Sequence, residues 1–268
     1  MAALTTLSSK DTIILDSLFN PEASSDQGIQ IDESLPQDSS ISSLIVLKQI
    51  HEQEVSAIRT LESQLRPHST ETKISGPSND RVSDAAVQEA LTSAIGTFNS
   101  IIESHPRYAS AYANRAQCTA VQLTQSGYSA PEVLRHSGLM SDLETAIRLA
   151  SPRTPAAPIS TANARVLAST YTQRASLYLA ASRYLEAQKM QIGGPVLQNC
   201  IPNRPSGFIL KDDSANLVAL LEEKASQDFF FGGRYGNKLA GAMVVKTNPY
   251  AKACGNVVKE AMRREMEG

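Results

Sequence analysis

The sequence predicts an all-α protein, an α-solenoid of about three helical hairpins with a C-terminal capping helix. Three observations carry that reading. Apolar residues recur at spacings of mostly three and four along much of the chain, the period of one helix face. Proline-bearing breaks, such as His105-Pro106 and Ser151-Pro152, separate the periodic stretches. And the stretch YASAYANRAQ, Tyr108 to Gln117, is echoed as TYTQRASLYL, Thr170 to Leu179. In both, a Tyr is followed two positions on by Asn or Gln, then by Arg and Ala, which is the signature of an internal helical repeat.

A chain of 268 residues can bury a substantial core in one large or two small domains. The hydrophobic fraction of 41% and the aromatic fraction of 5%, with no Trp, fit an ordered helical body that carries polar insertions and a loose terminus. A net charge of −2 gives no electrostatic reason to expect nucleic acid or an anionic membrane as partner. No apolar run approaches the roughly 20 residues needed to span a bilayer. The N-terminus has neither a basic leader nor a clean apolar core, so no signal peptide is expected. Cys118, Cys200 and Cys254 are far apart and odd in number. They suit a reducing compartment, so a cytosolic or nuclear protein is expected.

Taken in order, residues 1–43 are rich in Ser, Asp and Gln and read as a mostly disordered polar tail. The helical domain is expected over 44–247, with loops inserted near 66–82, 126–136 and 188–212, and the capping helix over 248–268. Leu44, Leu47, Ile50, Val55, Ile58, Leu61 and Leu65 mark one face of the first helix, which Pro67 ends. A second helix follows, with Ser83 or Asp84 as its cap and Val87, Leu91, Ala94, Ile95, Phe98, Ile101 and Ile102 as its stripe.

The second hairpin pairs a helix over about 106–125 with a return helix through Leu139, Leu143, Ala146, Ile147 and Leu149. Gly127 and Pro131 between them suit an extended turn. The third pairs about Thr161–Ser182 with Leu217, Leu220, Leu221 and Ala225; a strand-like piece near Gly207–Leu210 is expected in the insertion. A glycine-punctuated turn at 232–236 then leads into Leu239–Val245. Asn248-Pro249-Tyr250 starts the last helix, which covers the otherwise open end of the solenoid.

The punctuation, a Pro between hairpins and an aromatic in the next first helix, is that of tetratricopeptide repeats. With the NRAQ and QRAS sequences, LFNP at Leu18–Pro21, SDLETAIRLA at Ser141–Ala150 and the C-terminal NPYAKACGN, the chain resembles the tetratricopeptide repeat protein 36 family. That resemblance implies a non-enzymatic interaction protein, an adaptor or co-chaperone-like scaffold. It also implies tyrosine catabolism as a process, and a heat-shock protein 70 chaperone or a metabolic enzyme as partner. The alternative function it suggests is regulation, by stabilisation, of a tyrosine-catabolic enzyme.

Co-chaperone repeats of this class grip a C-terminal carboxylate with Lys, Asn and Arg side chains, through charge-assisted hydrogen bonds. Asn114 stands at the matching position in the second repeat, but Ser169 and Gln173 stand where the third would carry Lys and Arg. Lys48 is followed four residues on by Glu52, which would repel a carboxylate. A groove lined by Asn114, Gln117, Ser169, Gln173 and Ser176 suits hydrogen bonds to a peptide backbone instead. Tyr112, Arg115 and Ala116, with Tyr171, Arg174, Ala175 and Tyr178, form the packing signature of the repeat. Each Arg is expected to lay its stem across a neighbouring helix and to pair with an acid.

No catalytic residues, cofactor or metal are expected. His51, His68, His105 and His136 are isolated, and neither HExxH nor CxxC occurs. Gly232-Gly233-Arg234-Tyr235-Gly236 lacks the Lys-Ser/Thr of a phosphate loop and follows a helix rather than a strand. Cys118 reads as a core thiol.

Overall fold

The computed structural model describes residues 29–65, 80–154, 157–191, 213–247, 260 and 262–265. Among them the chain is α-helical: α1 (Leu44–Leu65), α2 (Asp80–Ser104), α3 (Ala109–Gln125), α4 (Ala130–Arg135), α5 (Ser137–Ala150), α6 (Thr161–Gln191), α7 (Asp213–Arg234) and α8 (Lys238–Thr247). Among the described residues no helix is long and apolar enough to cross a membrane. The only extended pairing among them is an isolated parallel bridge, Ile31 with Ile159.

The long helices pack in succession, α1 on α2, α2 on α3, α3 on α5, α5 on α6, α6 on α7 and α7 on α8. Helical periodicity explains the first junction. Leu47, Ile50, Glu54 and Leu61 are the buried residues of α1, and the three apolar ones meet Val87, Leu91, Ala94, Phe98 and Ile101 of α2 and Ala111 and Cys118 of α3 in one core. A second core is built where α3, α4, α5, α6, α7 and α8 meet, around Leu134, Leu139, Leu143, Ala175, Leu221, Phe229 and Ala240. A third and smaller core joins the start of α3 to the end of α5 and the start of α6, through Ala109, Ala150, Ile159, Ala164 and Leu167.

Helix α6 is the hub. At 31 residues it is about 46 Å long at 1.5 Å per residue, and it packs on α3, α4, α5 and α7. Such a helix needs apolar or small residues on more than one side. Ala164, Leu167, Ala168, Ala175, Leu179, Ala181 and Leu185 are buried along it, as are Thr170 and Ser182. The two hydroxyls are accommodated because each donates to a carbonyl within the helix, Thr170 to Val166 and Ser182 to Leu179.

Several expected boundaries shift. Helix α2 begins at Asp80, ahead of the cap expected at Ser83 or Asp84. The extended turn expected near Gly127 and Pro131 contains helix α4, because Pro131 sits in its first turn where no amide is needed. The Ser129 backbone N–H and hydroxyl both donate to Glu132 Oε2, at 2.8 and 2.6 Å, which fixes the start of α4. Pro131, Val133 and Leu134 are buried by it. Helix α6 continues past Ser182 to Gln191, into the insertion expected over 188–212, and α7 begins at Asp213, where that insertion was expected to end. The strand-like piece expected near Gly207–Leu210 lies outside the described residues, as does most of the insertion at 66–82. Of the segment 248–268, Glu260 and residues 262–265 are described, and they are helical.

The expected turn at 232–236 is corrected most. Gly232 and Gly233 lie within α7, and only Gly236 turns the chain, with φ +99°. Gly236 N–H donates to Gly233 O at 2.9 Å and Asn237 N–H to Gly232 O at 3.0 Å, the paired bonds of a Schellman ending. Asn237 Oδ1 then accepts from Ala240 N–H at 3.1 Å and caps α8. Gly127 ends α3 in the same way, with φ 85°.

Gly232 serves packing. A Cβ there would lie 2.7 Å from Thr172 Oγ1, 3.1 Å from Ala240 Cβ and 3.3 Å from the Ala168 carbonyl oxygen. At Gly96, in the middle of α2, a Cβ would meet nothing within 4 Å. Opposite outcomes are therefore expected in thermal or urea melts. Gly232→Ala destabilises by about 1–3 kcal/mol through overpacking. Gly96→Ala stabilises by about 0.4–1 kcal/mol, because it narrows the unfolded ensemble and favours the helix. Equal effects at the two positions would refute the packing role of Gly232.

Candidate functional site

The first helix places an acid where its apolar face requires a buried residue. Glu54 follows Leu47 and Ile50 at helical spacing, and it is 3% exposed. Its donors come from α3 and the residue that precedes it. Tyr108 Oη donates to Glu54 Oε2 at 2.7 Å. Ser110 Oγ and Asn114 Nδ2 both donate to Oε1, at 2.8 and 2.9 Å. Asn114 Nδ2 also lies 3.3 Å from Ser110 Oγ, one helical turn back. A buried carboxylate without such donors would be prohibitive, so the cluster also dictates where α3 sits against α1.

Burial outweighs the three hydrogen bonds, and Glu54 titrates above the ordinary carboxylate range. Burial and the neighbouring carboxylate likewise push the Tyr108 phenol well up, so it remains a donor. Asp38, buried ahead of α1, adds to the field on that phenol. Burial pushes the Cys118 thiol up to about 11, which leaves it protonated and unreactive at neutral pH.

Two further polar junctions tie other helix pairs. Arg115 of α3 forks onto Asp142 of α5, with Nε to Oδ2 at 2.7 Å and Nη2 to Oδ1 at 2.6 Å, and its Nη1 donates to Asn99 Oδ1 of α2 at 2.7 Å. Arg174 of α6 forks onto Asp228 of α7, with Nε to Oδ2 at 2.7 Å and Nη2 to Oδ1 at 2.8 Å. Both guanidinium groups also lie over a tyrosine one turn earlier, Tyr112 at 5.6 Å and Tyr171 at 5.5 Å from the ring centres. Ala116 and Ala175, next to the arginines, are fully buried. Tyr112 Oη donates to the Pro106 carbonyl, Tyr171 stacks on Phe231 and Tyr235, and Tyr178 is buried beneath Lys224.

The five residues expected to line a groove have different situations. Asn114 is tied to Glu54. Gln117 is exposed on α3. Ser169 and Ser176 are exposed on α6, where their hydroxyls donate to Val166 O and Thr172 O. Gln173 Nε2 is shut away from solvent and meets no acceptor among the described residues. Lys48 pairs loosely with Glu52 at 4.0 Å on the surface of α1. The described residues bring together no group of three or more His, Cys, Asp or Glu side chains that could hold a metal ion.

Sequence reading did not single out Glu54, Asp142 or Asp228. The signal for Glu54 was its register, an acid in phase with Leu47, Ile50 and Leu61. Asp142 and Asp228 each stand four residues before a small residue of a return helix, Ala146 and Gly232.

Two outcomes test the cluster. Glu54→Ala leaves three donors without their acceptor and is expected to cost about 2–4 kcal/mol in urea unfolding, and Tyr108→Phe about 1.5–3 kcal/mol. Because the folded-state pKa of Glu54 is raised, the folded chain holds more protons than the unfolded one between the ordinary carboxylate pKa and the raised value. Stability from this group therefore falls as pH rises through that window and is fully present below it. The stability of the native chain relative to Glu54→Gln is expected to grow as pH falls through the same window. A pH-independent difference would overturn the assignment.

No protein-family model matches the chain, and no solved structure matches it. A curated protein of Aspergillus fumigatus, named L-tyrosine degradation gene cluster protein hmgX, is 37% identical over 278 residues, which cover 98% of this chain and 94% of that protein. This overturns the resemblance to the tetratricopeptide repeat protein 36 family. The residues that carried it have packing tasks: arginines that fork onto acids, alanines at close crossings, tyrosines under guanidinium groups. Any pair of tightly crossed helices can use such residues, so they do not specify a family. Identity along nearly the full length does, and the chain belongs to the family of the L-tyrosine degradation gene cluster protein hmgX.

Proposed function

We propose that this chain serves L-tyrosine degradation as a non-catalytic helical scaffold that binds and stabilises an enzyme of that process. The observation that carries the reading is the near full-length relative, whose name places it in an L-tyrosine degradation gene cluster. The use made of the ionisable groups supports a scaffold. Glu54, Arg115, Asp142, Arg174 and Asp228 are engaged with side chains of neighbouring helices and hold the helices in place. The succession of packed helices supports a tetratricopeptide-like solenoid as the form of the scaffold, with α1, α3 and α6 as its first helices. Capture of a chaperone's C-terminal carboxylate is not part of the proposal, because the amide of Asn114 already donates to the carboxylate of Glu54.

Deletion of the gene is the test. Growth on L-tyrosine as nitrogen source is expected to slow, with a lowered steady-state level of at least one tyrosine-degrading enzyme and an unchanged level of its transcript. That enzyme should co-purify with the tagged chain, and added chain should lengthen its half-life at elevated temperature. Unchanged growth and enzyme levels would overturn the role in tyrosine degradation. Turnover of a pathway intermediate by the purified chain alone would overturn the scaffold reading and leave the process standing.

A further inference from the structure

Residues 29–38 lie as a strap across the start of α6 and reach the start of α3. Ile159 N–H donates to Gln30 O at 2.8 Å, and Asp32 N–H donates to Ile159 O at 2.9 Å, so the strap pairs with the backbone on both sides of Ile31. Ile29 packs against the small core of Ala109, Ala150, Ile159, Ala164 and Leu167. The extended piece ends where Asp32 Oδ1 accepts from the N–H and hydroxyl of Ser34, a local turn. Further on, Ser160 Oγ lies 3.4 Å from the Gln37 carbonyl oxygen.

The strap is held by little. Its pairing is a single bridge rather than a ladder, Ile31 is 48% exposed, and Gln30, Glu33 and Ser34 are exposed as well. Ile29 is its only apolar residue seated on that core. Only its far end, at Asp38, is buried, so residues 29–34 are the weakly held part and open at a small fraction of the global unfolding free energy. What opening uncovers is specific: one backbone N–H and one C=O at Ile159, an apolar seat for an aliphatic side chain, and the Ser160 hydroxyl. These are the elements by which a protein takes up an extended peptide by strand pairing.

We propose that the strap is a built-in occupant of a peptide-binding surface, and that a partner's extended segment of the same chemistry displaces it. That chemistry is read from the strap: an aliphatic residue for the seat that Ile29 fills, two residues that pair through their backbone, then Asp or Asn opening a turn. The surface would serve a tyrosine-degrading partner, but the inference does not rest on that process.

The test uses the full chain and a fluorescein-labelled peptide of sequence GIQIDESLPQD, which is Gly28 to Asp38. Ile29→Asp unseats the strap. The variant is expected to bind the peptide about tenfold more tightly than the native chain in fluorescence anisotropy, since a surface open a tenth of the time shows a tenth of its affinity. Adding Ile159→Pro, which removes the paired N–H, should abolish binding, and a peptide with Asp at both Ile positions should not bind. Equal affinity for the native and Ile29→Asp chains, or no binding to either, overturns the proposal. Concentration-dependent dimerisation of the native chain through exchanged straps would assign the surface to a second copy and overturn it too. If Ile29→Asp fails to fold by circular dichroism, amide exchange in the native chain decides. Ile159 N–H is expected to exchange at least about a hundredfold faster than Leu167 N–H, the mark of local opening, and equal rates would overturn the proposal.

Discussion

Close approach of helices at small residues is the constraint on which the rest of this structure depends. Ala116, Ala146, Ala175, Ala225 and Ala240 are fully buried, and Gly232 has no room for a Cβ. Backbones that come this close leave the flanking polar side chains little freedom, and each must find a partner or bear the cost of desolvation. The arginines show how that is met. Arg115 and Arg174 each stand beside one of the buried alanines, and each forks onto an acid four residues before the small residue of the return helix. Alanine lets the helices touch, and the fork fixes their relative rotation and rise. Planar bidentate geometry tolerates only one register, which a single charge contact would not enforce.

The first junction is built differently. There the buried acid is Glu54, its donors are neutral, and the interaction joins α1 to α3 across the first core. Neutral donors leave a net charge in a low-dielectric site, and burial raises the pKa of Glu54, which makes this junction sensitive to pH. It also accounts for Asn114. In a groove, a side-chain amide on a first helix is free to meet a ligand's carbonyl or carboxylate; here the protein supplies that acceptor from its own α1. Asn114 is therefore not available for that contact, and the partner surface proposed for this chain is the backbone edge at Ile159 beneath the strap.

The all-α class, the ends of α1 and the stripe of α2 were legible in the sequence because each is a local property. Periodicity, capping and proline punctuation act within a few residues of where they are read. The boundaries that moved are those where another element intervened. Helix α4 exists because Val133 and Leu134 have a core to enter, and the glycines at 232 and 233 stay helical because α6 and α8 press against them. Gly, read alone, is a turn residue. Within a crossing it is a packing residue, and its neighbours in space decide which.

By itself the sequence determined that the chain is helical, where most of its helices run, and which positions repeat: Tyr112 with Tyr171, Arg115 with Arg174, Ala116 with Ala175. Tertiary structure alone decided what those positions do. Asp142 and Asp228 lie 27 and 54 residues from the arginines they bind, and Glu54 lies 60 residues from Asn114. Helix periodicity says which face of a helix turns inward, but it carries no information about what waits there. That information arises only when burial strips the water from a polar group and leaves it to be satisfied by whichever side chain the packing has brought within reach.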